Sequence, residues 1–190
     1  DVYKRQDFDA LDEKTIDLFA AETAQSLLEI VDILGDKLPL QIVERVVGEV
    51  TDRVIVPFVT STVPYSWWEQ DRCNWAAVCA GSVGMAAIYL SHWYEKRQQP
   101  KDERLPEDWK QSIIGRVCDA LQCYLDGMEE DGACTEGLGY FAYGMSYYTG
   151  FAQALYQETK GSIDLMKKPK CEKIALFQQK CYFGGGVSVS

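Results

Sequence analysis

Two short segments of the chain bring together side chains that could bind or process a saccharide. The first contains Trp67, Trp68, Arg72, Asn74 and Trp75, at the entrance to a long apolar stretch. Indole faces stack on the apolar C–H faces of sugar rings, and an Asn amide both donates and accepts hydrogen bonds. The structural alternative is that Asn74 caps a helix and the tryptophans seal its end. Residue type alone leaves both interpretations open.

The second segment, residues 131–144, surrounds Glu136 with glycines and continues into a helical pattern that carries Tyr140 and Tyr143. A carboxyl group and two phenols at one helix end can bind a saccharide or transfer protons. The structural alternative is a Gly-rich turn in which Glu136 stabilises a helix N-terminus and the tyrosines belong to the core. This segment therefore predicts either a site or a turn.

Helices must position both segments, because apolar residues recur at three- and four-residue steps through most of the chain. The expected helices cover about residues 8–34, 40–57, 74–94, 106–128, 140–155 and 162–180. Gly35 is a natural stop, Pro57 should kink or end the second helix, and Pro106 belongs in a first turn. Ser162 is expected to cap the sixth helix and Pro169 to split it.

The third predicted helix, from Asn74 to about Tyr94, is apolar nearly all round and should be buried on most sides. Gly81 and Gly84 each cost about 1 kcal/mol relative to Ala in a helix interior, so close packing is the expected reason for them. Neither an alternating strand nor a βαβ pattern is evident. The predicted class is all-α, built as three consecutive helical hairpins.

Length, composition and net charge exclude several classes of protein. The length of 190 residues and the 47% apolar content are typical of one globular domain. The formal net charge of −10 argues against nucleic acid as a partner, and no uninterrupted apolar run is long enough to predict a membrane span.

The seven cysteines are an odd number, so at least one is unpaired within the chain. Neither Cys73 with Cys79 nor Cys118 with Cys123 has the spacing of a zinc site, and we predict no metal or cofactor. Free thiols are expected, which favours a reducing, cytoplasmic setting for this segment.

Together the two segments resemble the helical domain of the heparinase II/III-like polysaccharide lyases. The first block of the resemblance is Asn74-Trp75 with the apolar sequence through Leu90, and the second is Asp131-Gly132, Glu136-Gly137-Leu138-Gly139-Tyr140 and Tyr143-Gly144. In order and spacing the similarity spans about residues 67–155, and residues 174–180 add to it. The second block is the more specific.

The resemblance implies that the helical hairpins form part of an α/α toroid, followed in complete members by a β-sandwich domain. Residues 1–6 are then interpreted as a non-native extension and 7–183 as the toroid part. Residues 184–190, including Gly184-Gly185-Gly186, would begin a linker to the missing C-terminal β domain.

Members of the family cleave acidic polysaccharides or oligosaccharides by β-elimination beside a uronic acid. The resemblance gives catalytic roles to Asn74 and Glu136, one of which would neutralise the substrate carboxylate. It implies sugar contacts for the tryptophans and tyrosines of the two segments, and Arg72 would add a positive charge to the cleft. The substrate-binding residues are then Trp67, Trp68, Arg72, Trp75, Tyr140 and Tyr143.

Two features depart from the family. Its members use histidines in the cleft, whereas His92 is the single histidine here and is expected to be structural, because no partner is evident for it. A charge of −10 also suits a weakly charged uronate glycan better than a densely sulfated one.

Three functions are alternatives to a polysaccharide lyase. They are a non-catalytic carbohydrate-binding toroid, a helical interaction scaffold with the aromatics in its core, and a glycoside hydrolase in which Asp131 faces Glu136.

Overall fold

The computed structural model describes residues 16–188 and confirms the all-α class. The extension assigned to residues 1–6 and the predicted start of the first helix at Phe8 lie outside the described residues. The helices are α1 (Leu18–Leu34), α2 (Leu40–Val50), α3 (Val56–Thr60), α4 (Asn74–Arg97), α5 (Trp109–Asp126), α6 (Leu138–Glu158), α7 (Pro169–Ala175) and α8 (Phe177–Lys180). A short antiparallel hairpin of β1 (Tyr182–Gly184) and β2 (Val187–Ser188) follows them.

Helix α4 lies at the centre, with α1, α5 and α6 packed around it. Helices α1 and α6 run parallel to α4, because their C-terminal ends meet its C-terminal end. There, Lys96 lies 2.6 Å from Asp32 of α1, and His92 lies 2.9 Å from Glu158 of α6. Helix α5 runs antiparallel, since Lys110 in its first turn donates to Ser91 Oγ over 3.0 Å.

The glycines of α4 let neighbouring helices approach closely, as predicted. A Cβ on Gly81 would lie 2.8 Å from the Tyr147 carbonyl oxygen, and one on Gly84 would lie 2.4 Å from the Phe151 ring. Such distances are below van der Waals contact, so any larger residue would push α6 away from α4. The same apolar helix is long enough to span a membrane by length and composition, but 83% of its apolar window is buried inside the protein.

Several predicted boundaries are wrong for identifiable reasons. Helix α5 begins at Trp109, because Pro106 lies in a preceding turn whose carbonyl accepts from the Trp109 N–H over 3.3 Å. Ser162 caps no helix, and Pro169 begins α7 rather than splitting a helix, as its fixed φ and missing N–H suit a first position. Before Pro57 the α-helical hydrogen bonding gives way to a π-helical turn at Thr51–Ile55, and Pro57 lies in the first turn of α3, which ends at Thr60.

The Gly-rich end of the described chain forms a turn between two strands. Gly185 and Gly186 adopt φ of +59° and +81° between β1 and β2, a conformation that glycine reaches without steric cost. The sequence predicts a linker in this stretch and no strand. The hairpin is too short to change the class of the protein.

Candidate functional site

Asn74 and Glu136, 62 positions apart in the chain, meet at the N-terminus of α4. The backbone N–H of Asn74 donates to Glu136 Oε2 over 2.7 Å, and the Asn74 Nδ2 donates to Glu136 Oε1 over 3.3 Å. The first N–H groups of a helix lack partners within the helix, and they carry its positive end. The Glu136 carboxylate supplies that partner from another segment of the chain.

The loop before α6 holds Glu136 in place. Gly132 and Gly137 have φ of +90° and +87°, and a Cβ on Gly132 would lie 2.4 Å from the backbone of Lys173. Asp131 Oδ1 accepts from the Ala133 N–H over 3.1 Å, which closes the turn. The sequence prediction of a Gly-rich turn is confirmed, and the glycines are needed because β-carbons would be strained or would clash there.

The structural interpretations of Glu136 and Asn74 are each correct only in part. Glu136 does stabilise a helix N-terminus, but the helix is α4 rather than α6. Asn74 is the first residue of α4, and the capping position is occupied by Cys73 in an extended conformation. Thus the amide of Asn74 is directed to Glu136 rather than to its own helix.

Asn74 and Glu136 differ in their exposure to solvent. Asn74 is only 2% exposed, and its Oδ1 is buried with no hydrogen-bond partner among the described residues. Glu136 is half-buried, so it is the member of the pair that reaches solvent. Burial raises the pKa of Glu136 above its ordinary value of 4.5; the Asn74 N–H opposes this change, and the charge of Asp71 adds to it.

Asp71 is therefore a neighbour of the pair that sequence reasoning missed. Asp131, which the hydrolase interpretation placed opposite Glu136, instead pairs with Lys180 at 3.8 Å. The only signal for Asp71 in the sequence was that it lies three positions before Asn74.

The tryptophans divide between surface and core. Trp67 is 51% exposed, and its ring centroid lies 5.2 Å from that of the half-buried Trp75 with a 42° tilt. These two indoles form the Trp67–Trp75 platform next to Asn74. Trp68 is fully buried, donates from Nε1 to the Ile16 carbonyl over 2.9 Å and stacks on Phe58. The prediction that Trp68 contacts sugar is wrong, because the side chain is fully buried in the core.

Arg72 lies beside the pair on an exposed turn. Its backbone N–H donates to Asp71 Oδ1 over 2.6 Å, and within residues 16–188 its guanidinium forms no ion pair. The side chain is available to an anionic ligand, which keeps its substrate-binding role as a prediction.

The tyrosines of α6 differ in what their hydroxyls do. Tyr140 is 58% exposed, whereas Tyr143 is half-buried and donates to Glu22 Oε1 over 2.9 Å. Tyr147 donates to the same oxygen. Burial and the bond to Glu22 raise the pKa of both Tyr143 and Tyr147, so both stay protonated phenols. Glu22 and Tyr147 were missed, and only the four-residue spacing of the two tyrosines hinted at the cluster.

Exposure also bears on the scaffold interpretation, which expected Trp67, Tyr140 and Tyr143 in the core. Trp67 and Tyr140 are instead more than half exposed. Neither side chain belongs to the core, so the scaffold interpretation is wrong for Trp67 and Tyr140.

His92 lies at the opposite end of α4, about 27 Å from Asn74 at a rise of 1.5 Å per residue. The expectation that it lacks a partner is wrong. Its Nε2 lies 2.9 Å from Glu158, and its Nδ1 lies 3.6 Å from Asp32. Lys110 also binds Glu158, over 2.7 Å. Burial would raise the pKa of Glu158, but the bonds from Lys110 and His92 outweigh it and lower that pKa. The cluster joins four helices and is structural, as predicted for His92.

The seven cysteines are free thiols. In the described part of the chain, no group of three His, Cys, Asp or Glu side chains is arranged to hold a metal ion. No family model matches the chain, and no curated protein matches it.

Proposed function

We propose that this chain is the helical part of a polysaccharide lyase that cleaves uronic-acid-containing glycans by β-elimination. The observation that carries the proposal is the pairing of Asn74 with Glu136 at one end of α4, beside an exposed aromatic platform. It supports the part of the expectation that concerns the acid, with Asn74 holding Glu136 rather than contacting the saccharide itself.

In such a reaction a base removes the proton at C5 of the uronate, and the bond from C4 to the leaving oxygen breaks. A C4=C5 double bond forms, the leaving oxygen takes up a proton, and no water is consumed. The C5 proton is weakly acidic until the charge of the neighbouring carboxylate is offset by a donor. That donor is the first requirement of the site.

Glu136 is the better donor of the two predicted residues. In its protonated form it donates a hydrogen bond to the substrate carboxylate, and its raised pKa enlarges the protonated fraction at any given pH. Asn74 is too buried to contact a glycan directly, so we assign it as the positioning residue for Glu136. Tyr140 is the better candidate for proton transfer, since Tyr143 already donates its hydroxyl proton to Glu22.

The helix arrangement is compatible with the toroid expected from the resemblance. Helices α1, α4 and α6 lie side by side and parallel, and α5 returns in the opposite direction. This is how consecutive helical hairpins build an inner and an outer layer. We propose that this unit supplies the sugar-binding surface and the carboxylate donor. The remaining catalytic groups would come from the C-terminal β domain.

The test is the chain joined to its natural C-terminal continuation, assayed on uronate polymers by the ultraviolet absorbance of the C4=C5 double bond. Glu136→Gln should lower turnover about 100-fold or more, because the carboxyl proton is lost. Glu130→Gln removes an exposed carboxylate from the same loop and should leave turnover unchanged. Absence of unsaturated product from every uronate polymer would overturn the proposal.

The exposed Trp67–Trp75 platform also supports a second candidate function, non-catalytic carbohydrate binding. In that case glycan binding depends on Trp67 and not on the protonation of Glu136. Binding of a glycan by the joined protein, without any double-bond formation and with Glu136→Gln binding unchanged, would favour this second function.

A further inference from the structure

A buried ion pair between Glu69 and Arg116 anchors the turn that carries Trp67, and it takes no part in the chemistry above. Nη2 of Arg116 donates to both carboxylate oxygens of Glu69, over 2.7 and 2.9 Å, and Nε donates to Oε2 over 3.2 Å. The side chain of Glu69 is 4% exposed and that of Arg116 is 13% exposed, so solvent ions screen the two charges little. We call these residues the Glu69–Arg116 pair.

The Glu69–Arg116 pair holds both ends of the loop that joins α3 to this turn. Arg116 of α5 also donates from Nη1 to the Phe58 carbonyl over 2.5 Å and to Ser61 Oγ over 3.3 Å, where α3 ends. Its guanidinium lies over the Phe58 ring, 4.1 Å from the centroid, which is a cation–π contact. Glu69 accepts a hydrogen bond from the backbone N–H of Tyr65, farther along the loop. One arginine therefore fixes where the loop leaves α3 and where it enters the turn.

The rotation of the turn decides which of its side chains reach solvent. The four residues that begin at Trp67 form a 3₁₀ helix, in which side chains three positions apart lie on the same side. Trp67 and Gln70 share the exposed side, whereas Trp68 and Glu69 are buried on the other two sides. Two buried anchors about 120° apart around the helix axis fix its rotation. This rotation directs Trp67 outward and against Trp75.

Stability alone does not account for a pair of charges at this position. Burial removes both ions from water, and replacing such a pair by apolar side chains of similar volume is often neutral or stabilising. The bonds of an arginine to a carboxylate are directional, because the planar guanidinium presents two N–H groups in a fixed geometry. Apolar burial has no such directionality. The Glu69–Arg116 pair therefore supplies an orientation that the packing of Trp68 does not.

Building on the proposed function, we propose that Glu69 and Arg116 are positioning residues for the sugar-binding surface. They act through the turn, which they hold so that Trp67 lies against Trp75 before a glycan binds. A platform that is already formed requires less loss of conformational freedom when the glycan arrives. Loss of the pair should weaken substrate binding and leave the chemical step at Glu136 unchanged.

The orientation of the two indoles is measured by circular dichroism of the joined protein. Two neighbouring indoles tilted by 42° exchange excitation and give an exciton couplet, which is the part of the far-ultraviolet spectrum that Trp67→Phe removes. Glu69→Leu combined with Arg116→Met removes both charges. This double variant should keep or raise the free energy of unfolding, and the couplet should fall by about half or more. Arg116→Lys keeps the charge without the planar fork and should give an intermediate couplet.

Turnover of uronate polymers by the same variants separates positioning from stabilisation of the fold. The double variant should raise KM about fivefold, the size expected for one aromatic contact, with kcat changed by less than about twofold. Glu49→Leu combined with Arg53→Met is the matched control, because it removes an ion pair of the same residue types from more exposed positions. The control should leave both the couplet and KM unchanged.

A full couplet or an unchanged KM in the folded double variant would overturn the positioning role. If the double variant does not fold, a full couplet in Arg116→Lys would overturn that role in the same way. Each of these results leaves the proposed function standing. Failure of the unaltered protein to act on any uronate polymer would overturn the proposed function instead, and the couplet would still decide whether the Glu69–Arg116 pair orients Trp67.

Discussion

The backbone N–H of Asn74 donates to Glu136 Oε2 over 2.7 Å, so a carboxylate from the loop before α6 occupies the positive end of α4. This single bond ties the start of the central helix to the Gly-rich loop. It also places a half-buried acid at the end of α4 where the exposed Trp67 and the half-buried Trp75 meet. The structural and the proposed chemical roles of Glu136 therefore depend on the same geometry.

The titration of Glu136 should be visible in the stability of the protein. Its pKa in the folded state is raised above 4.5, so the folded protein binds this proton more tightly than the unfolded chain. The resulting contribution to stability is complete below pH 4.5 and is lost as the pH rises through the raised pKa. We expect the free energy of unfolding of the unaltered chain, relative to Glu136→Gln, to fall over that interval. Urea denaturation at several pH values measures it, and a rise would contradict the assignment.

Gly144 should tolerate no side chain, because a Cβ there would lie 2.5 Å from the hydroxyl oxygen of Tyr124. Gly144→Ala is expected to reduce the free energy of unfolding by about 1–3 kcal/mol through overpacking. Gly139→Ala, on the same helix with no atom within 4 Å of its Cβ, is the control and should not destabilise. Denaturant titration of both variants gives the comparison.

The buried hydroxyl of Tyr124 has no partner in the described structure. Adding Tyr124→Phe to Gly144→Ala should therefore recover part of the lost stability, since it removes the nearest clashing atom and breaks no hydrogen bond, although the ring carbon Cζ at 2.8 Å remains. No recovery in the double variant would mean that the ring carbons rather than the hydroxyl oxygen account for the lost stability.

Substitution of Trp67 and of Trp68 should affect stability to different degrees. Trp68→Ala empties a fully buried site and is expected to cost about 3–5 kcal/mol of stability. Trp67→Ala removes a side chain that is 51% exposed and should cost less than about 1.5 kcal/mol while weakening glycan binding. Thermal denaturation measures the loss of stability, and calorimetric titration with an oligosaccharide that contains uronic acid measures glycan binding. Equal loss of stability in the two variants would contradict the assignment of Trp68 to the core.

The cluster around His92 should stabilise the fold above acidic pH. The pKa of Glu158 is lowered in the folded state, since the bonds from Lys110 and His92 exceed the effect of burial. Its contribution is present above the ordinary carboxyl range and is lost as the pH falls through the lowered pKa. Glu158→Gln should therefore flatten the acid side of the stability profile, whereas the exposed Glu103→Gln should not. Unfolding followed by circular dichroism from pH 7 downward checks this.

Sequence reasoning located most of the helices because apolar spacing reports directly on the buried face of each helix. It succeeded at α4, where a nearly uniform apolar composition predicted burial and Gly81 and Gly84 predicted close packing. It failed at Pro106 and Ser162, because the same residue types serve turns and helix starts equally well. Such boundaries depend on which backbone groups find partners.

The candidate site, too, could be predicted from the sequence only in part. Both halves of the Asn74–Glu136 pair were identified by residue type and by resemblance, without any means of measuring the distance between them. Adjacent tryptophans could not be told apart, since only the position of Phe58 and Ile16 decides that Trp68 is core. Glu22 lies in α1, and no local pattern connects it with tyrosines more than 120 positions later.

By itself the sequence determined the all-α class, the buried central helix, the Gly-rich turn and the residues capable of chemistry, because these follow from local spacing and side-chain type. Only the tertiary structure decided which helix end Glu136 stabilises, which tryptophan reaches solvent, and which carboxylates surround His92 and the tyrosines. Those relationships arise when parallel helices pack on α4 and bring distant segments within hydrogen-bond distance, and the spacing of residues along the chain carries no record of that approach.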